Sequence, residues 1–184
     1  MITLQDLQNY YTNVLCEKTF QYTLQNAQPL QILFFKESFC HLLGIQHVIR
    51  DKAYLGKSGY ELIKSGNLTI KRLKAINKNG FSKIKHRIFY FNQIGHLLSH
   101  GETFKFYPER VKKGTKIKAS FLIHEESLHL YLHLFLAKEQ FKKNIYSPMS
   151  YIPLTENDAN PKMYISGQEY KKILKFEILP SLHS

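Results

Sequence analysis

Cysteine is scarce in this chain: 184 residues contain two, Cys16 and Cys40, both in apolar surroundings. They form no CxxC pair and no His/Cys ligand spacing. That argues against a disulfide scaffold or a structural zinc site, and for reduced core thiols in a cytoplasmic protein. No apolar run is long enough to cross a bilayer, and the N-terminus lacks the basic-then-apolar order of a secretory signal. No membrane partner is expected. There is no glycine-rich nucleotide loop, no internal repeat and no low-complexity linker. The acidic residues are too scattered for a two-metal nuclease, and no glycosidase-type carboxylate pair can be assigned. The sequence therefore calls for no cofactor and no metal.

What the middle of the chain lacks most is negative charge. Between Arg50 and Lys118, 17 Lys/Arg stand against 4 Asp/Glu; the rest of the chain carries 9 against 10, so the whole net charge of +12 resides in this segment. A regional excess of this kind attracts polyanions, RNA or other nucleic acid above all. The bland alternative is a solvated basic surface. Lys71, Arg72, Lys74, Lys83, Lys85, Arg87, Lys116 and Lys118 are the candidate nucleic-acid contacts.

The hydrophobic pattern predicts one domain over residues 1–184, of α+β class, with N-terminal helices packed on a mainly antiparallel sheet. Thr3 to Asp6 resembles a capping box opening a helix of three to four turns. Phe20, Tyr22 and Leu24 alternate as a strand. Leu30 to Phe35 reads as a buried strand running into a short helix that ends at Gly44 in the left-handed conformation. Further helices are expected over 58–64, from Thr69 to Asn79-Gly80, and from Ser82 onward as the longest, with Lys83, Lys85, His86 and Arg87 crowding its first turns. There the cations oppose the helix dipole unless an anion sits nearby.

After Gly101 the period changes to that of strands. Residues 103–107 and 117–123 alternate, and His124 to Ser127 reads as a turn. From Leu128 to Leu136 leucines occupy one face and His129, Tyr131, His133 and Phe135 the other. Successive members of that second row lie about 7 Å apart, a spacing suited to base, acid and charge stabiliser around one phosphate. An exposed sheet face tolerating polar aromatics gives the same pattern. Residues 144–153 form a strand carrying Ser150, 163–165 read as extended, 166–169 as the start of a short helix, and 173–179 as a last strand.

Three blocks carry a family likeness. They are the FFKESFCHLLGI stretch from Phe34 to Ile45, the Tyr146-Ser147-Pro148-Met149-Ser150-Tyr151 segment, and the polar stretch from Asp158 to Tyr170. In order and spacing, from about residue 20 to 178, the chain resembles the fourth group of the phage barnase–EndoU–colicin–RelE-like nuclease domains, a phage and mobile-element family. The resemblance implies a ribonuclease-like fold. At matching positions it carries over His41 and Gly44, Pro148 and Ser150, with His41 as acid or base and Ser150 binding phosphate or positioning a 2′-hydroxyl. Cys40 departs from the residue more usual there, which leaves the local turn open. The residues alone favour a core histidine bonded to a carbonyl over a catalytic one.

Metal-independent RNA cleavage needs a base for the 2′-hydroxyl, an acid for the leaving oxygen and cations for the phosphorus. Histidine, tyrosine, serine, lysine and arginine supply these. The expected function is a nucleic-acid-binding protein of phage or mobile-element origin, an endoribonuclease or toxin-like nuclease. The alternative is a catalytically inactive inhibitor of a host defence nucleoprotein, of anti-CRISPR type. A toxin implies an acidic antitoxin as partner, and an inhibitor a host nucleoprotein.

Overall fold

The computed structural model of the chain describes residues 2–180 apart from 28, 128 and 141. In chain order, α1 spans Leu4–Tyr10 and continues as a wider turn to Cys16; β1 is Lys18–Leu24 and β2 Pro29–Leu33. The helices α2 (Phe39–Leu43), α3 (Gly56–Lys64), α4 (Ile70–Ile76), α5 (Lys78–Phe89) and α6 (Ile94–His100) follow. The strands β3 (Glu102–Lys105), β4 (Phe121–Ser127), β5 (Leu130–Lys138), β6 (Ile145–Thr155), β7 (Glu169–Lys171) and β8 (Ile173–Pro180) complete the chain. The class is α+β, with a mostly antiparallel sheet ordered β7-β3-β4-β5-β6-β2-β1-β8.

The two ends of that order explain the shape. β7 and β8 lie at opposite edges of the sheet, yet Lys172 alone separates them in sequence. The sheet must therefore curl until its edges nearly meet, and the Gln25 N–H, extending the β1–β8 ladder, holds the linking Lys172 by its carbonyl at 2.9 Å. The result is close to a barrel. α6 touches both sides of the curl: its Leu98 carbonyl accepts from the Tyr22 hydroxyl of β1 at 2.6 Å, and it contacts β4 and β5. Leu132, Leu134 and Leu136 of β5 are buried in the main core with Tyr11, Phe39 and Phe91. Leu128, the expected start of that row, lies outside the described residues.

Four local expectations are corrected. Asn79-Gly80 does not end a helix but lies in the first turn of α5; α4 already stops at Asn77, whose side chain then caps the start of α5, accepting from the Gly80 N–H at 2.8 Å. Gly80 is needed because a Cβ there would lie 2.5 Å from the His47 carbonyl oxygen. α5 thus begins at Lys78, which puts Lys83 mid-helix and Arg87 in its last turn. There a cation favours the dipole, and the expected conflict disappears. The helix is also broken before Phe91, and α6 is separate.

Residues 124–127 are strand, not turn, while 115–119 form no strand. The polar end of β4 is held by contacts that sequence does not reveal: His124 Nδ1 lies 3.1 Å from the Leu132 carbonyl, and Glu125 pairs with His96 at 2.9 Å. Residues 163–167 form turns, without an extended run or helix. Instead the Gln168 side chain clamps the Tyr107 backbone, accepting from its N–H at 2.8 Å and donating to its carbonyl at 3.2 Å, and the chain enters β7. Finally, the second face of β5 is covered. Phe135 packs with Phe106, Val111, Ala119 and Leu122, overlaid by Met163, Tyr164 and Ile165.

Candidate active site

β6 is where the sheet opens. It pairs with β5 along most of its length, but with β2 only at Gln31↔Ile145 and Ile32↔Tyr146. Beyond Tyr146 α2 and α5 pack against β6. Pro148 has no N–H to give, and the ladder slips beside it: Leu136 faces Pro148, Phe135 faces Ser150, and Met149 is skipped. Such bulges redirect backbone groups, and here the Met149 carbonyl meets the ring of His41.

Gly44 brings His41 to that point. At φ 80° it closes α2, and its N–H bonds the His41 carbonyl at 2.9 Å. A Cβ on Gly44 would stand 2.8 Å from Ile84 Cγ2, 3.2 Å from Arg87 Cδ and 3.3 Å from His47 Cδ2. The glycine is therefore both a helix stop and the contact surface between α2 and α5. After it the chain turns at once through Ile45–His47, which returns His47 toward His41.

The electrostatics of the group are one-sided. Burial and the Arg87 guanidinium lower the His41 pKa below its ordinary value, against the Met149 carbonyl, which raises it. Burial, Arg87, His41 and Lys83 all lower that of His47. Both rings keep open surface, so solvent or substrate can reach them. Arg87 is half-buried, and burial works against its charge; Tyr164 is close enough to favour it only when ionised, and burial raises the Tyr164 pKa. Among the described residues no carboxylate lies within ion-pair distance of Arg87. A guanidinium does not give up its proton, so the site holds a partly desolvated, uncompensated cation. Ser82, Lys83, His86 and Arg87 line a cavity of about 250 Å³ with Ile152, Pro153, Leu154 and Asp158. The Asp158 carboxylate is engaged elsewhere, accepting from Thr155 N–H at 2.7 Å and Oγ1 at 3.0 Å.

The remaining candidates stand apart from this group. Ser150 is buried, on the face of β6 that follows Phe135 into the second cluster. His133 is fully buried; its Nδ1 lies 3.1 Å from the Ile152 carbonyl, and burial beside His124 pushes its pKa down to about 3. It is a neutral core imidazole. His129 lies in the β4–β5 turn at φ 68°, outside both strands, paired with Glu156 at 2.6 Å. Tyr131 sits under Lys162, which bonds Glu126 at 2.6 Å. The expected row of His129, Tyr131 and His133 is therefore not one surface.

Lys71, Arg72 and Lys74 are exposed on α4. Arg72 is tied down by the Asn67 carbonyl at 2.8 Å and the Tyr54 hydroxyl at 3.0 Å. Lys85 is exposed on α5, and Lys116 and Lys118 on the irregular segment before β4. His47 and Tyr164 belong to the site without having been singled out from the sequence. The only trace of His47 is its place just past the glycine that reverses the chain, and Tyr164 leaves none. Among the described residues no three His, Cys, Asp or Glu side chains could jointly hold a metal ion, and no helix is long and apolar enough to cross a membrane.

No curated protein and no solved structure matches the chain. The likeness in its motifs is matched by a family model that runs from the capping box of α1 to the end of β8, over residues 3–179, and the chain belongs to that family, the phage-Barnase-EndoU-ColicinE5/D-RelE like nuclease 4 group.

Proposed function

We propose that the protein is an endoribonuclease that cleaves RNA by attack of the 2′-hydroxyl, with His41, His47, Arg87 and Lys83 as its working groups. The observation that carries this reading is the pair of histidines beside an arginine that has no carboxylate partner. An anion there removes the conflict among four basic groups, and a phosphodiester is the anion that the nuclease family suggests.

The roles follow from charge. His41, neutral near pH 7, takes the proton of the 2′-hydroxyl as its oxygen attacks phosphorus. Arg87 and Lys83 hold the charge that builds on the non-bridging oxygens. The bond from phosphorus to the 5′-oxygen breaks, and that oxygen takes a proton from His47. Bound phosphate opposes the Arg87 field and restores the ability of His47 to carry that proton. The products are a 2′,3′-cyclic phosphate and a free 5′-hydroxyl. Ser150 and His133, both buried on the other face, take no part in these steps, and His129 and Tyr131 lie outside the group. Neither the family nor any described feature of the fold favours the inactive-inhibitor alternative.

The test is incubation of the purified protein with tRNA and mixed RNA in EDTA, followed by analysis of the new ends. Cyclic phosphate or 3′-phosphate ends are expected. Cleavage leaving 5′-phosphate ends, or cleavage that needs added metal, contradicts the mechanism.

A further inference from the structure

From Leu62 to Gly101 the chain has no Asp or Glu and eight Lys or Arg. α4 and α5 lie wholly inside this stretch. At 100° per residue, Phe81, Ile84 and Ile88 of α5 turn to the core and Lys83 and Arg87 to one flank. His86 and Ser82 come next, on the outward side, then Phe89 and Lys85 on the far flank. Phe89 is 57 % exposed, an unusual place for a phenylalanine, and a helix of otherwise polar outward residues surrounds it. His86 lies between it and the Arg87 flank, its ring edge-on to Tyr90 at 6.1 Å between centroids. One strip of surface thus leads from the Arg87 cavity through His86 to an open aromatic ring.

We propose that Phe89 is a stacking platform for one base of a single-stranded RNA whose scissile phosphate lies at Arg87 and Lys83. The proposal rests on the endoribonuclease reading and names the form of its substrate. Aromatic rings among cations bind unpaired strands because the cations hold the backbone while every base offers a π-face. A duplex buries those faces in its own stack, so the platform selects single strands, loops and ends. A helix is about 10–12 Å across, and Arg87 and Phe89 lie on nearly opposite sides. The stacked base therefore belongs to a nucleotide flanking the cleaved linkage. A protein partner fits poorly: the outward neighbours of Phe89 on α5 are Lys78, Ser82, Lys85 and His86, all of them polar, and a single ring is too small for the apolar centre of a protein interface.

The experiment uses two readouts. The first is binding of a 2′-O-methyl oligoribonucleotide carrying 2-aminopurine, which has no 2′-hydroxyl to attack and so reports stacking without cleavage. Wild type should quench its fluorescence, Phe89→Trp should also quench it, and Phe89→Ala should abolish the quench and weaken binding about tenfold, the loss of one base stack. The same oligonucleotide annealed to its complement should not be quenched. The second readout is cleavage of single-stranded RNA, where Phe89→Ala should raise KM about tenfold and leave kcat within about twofold, because the ring touches no reacting atom. Quenching and KM unchanged in Phe89→Ala, or equal binding of duplex, overturns the platform. If wild type cleaves nothing yet quenches through Phe89, the endoribonuclease reading fails and the platform stands.

Discussion

Replacing Gly44 by alanine perturbs fold and site through one methyl group. Gly44 adopts φ 80°, a conformation that costs an L residue about 1–2 kcal/mol. The new Cβ would also stand 2.8 Å from Ile84 Cγ2, closer than packed carbons tolerate. Ile84 is fully buried on α5 and cannot swing into solvent, so the helix must shift; overpacking of this kind costs about 1–3 kcal/mol more. The sum is about 2–5 kcal/mol, which for a chain of this length lowers Tm by roughly 5–15 °C. The same methyl presses on Arg87 Cδ at 3.2 Å and His47 Cδ2 at 3.3 Å. A displacement of about 1 Å at a catalytic constellation can cost about 100-fold in rate, so RNA cleavage by the folded variant should fall by at least tenfold. Thermal melts and single-turnover cleavage well below the variant's Tm check both halves. A Tm within about 2 °C of wild type would show that the α2–α5 contact is not as tight as described, and the explanation of Gly44 would fail.

Leu132→Asp should abolish soluble expression, because Leu132 is 1 % exposed in the main core and the charge would have no partner there; a soluble variant with a native far-UV spectrum would refute that placement. Low pH should destabilise the protein through His133. The unfolded chain takes up its proton near pH 6.5 and the folded chain only near 3, so stability is lost as pH falls through that window, by about 1.4 kcal/mol per unit. Urea titrations of wild type and His133→Phe should show a steeper dependence in the wild type, and equal slopes would contradict a buried neutral imidazole. Arg87→Met should slow cleavage and raise the pKa of the acidic limb of the pH–rate profile, because Arg87 lowers both His41 and His47; an unmoved limb would separate Arg87 from the histidines. Exchanging Lys83 and Arg87 together for Glu should weaken RNA binding strongly and flatten its salt dependence.

Much of the fold was legible where a residue has one job. Thr3 caps α1, Gly44 stops α2, Thr69 caps α4, and the alternations in β1 and β5 mark strands. The misreadings fall where one residue serves two elements. Asn79-Gly80 forms a stop signal by composition, but with Asn77 as the cap and Gly80 pressed against His47 it becomes the first turn of α5. His133 and Phe135 look like an exposed polar row because period-2 alternation cannot tell one buried face from two. The site was legible in part. His41 and Gly44 stand in a contiguous motif, and Arg87 in a basic run. Ser150 belongs to the second motif, whose visible structural contribution is the Pro148 bulge that frees the Met149 carbonyl for His41. Tyr164 reaches Arg87 only because turns after β6 fold back over the sheet, and no local pattern encodes that return.

The proposed mechanism stands or falls on His41. Its ring is open to solvent and makes one bond to a backbone carbonyl, so His41→Ala should leave Tm within a few degrees. As a general base it should contribute about 10²–10⁴-fold to the rate. Single-turnover cleavage of RNA by wild type and His41→Ala, in EDTA at pH 7 and with melting curves for both, measures this directly. A loss of that size with the fold intact is the result this mechanism requires; cleavage undiminished in the folded variant would remove His41 from the chemistry and with it the site proposed at the open edge of β6.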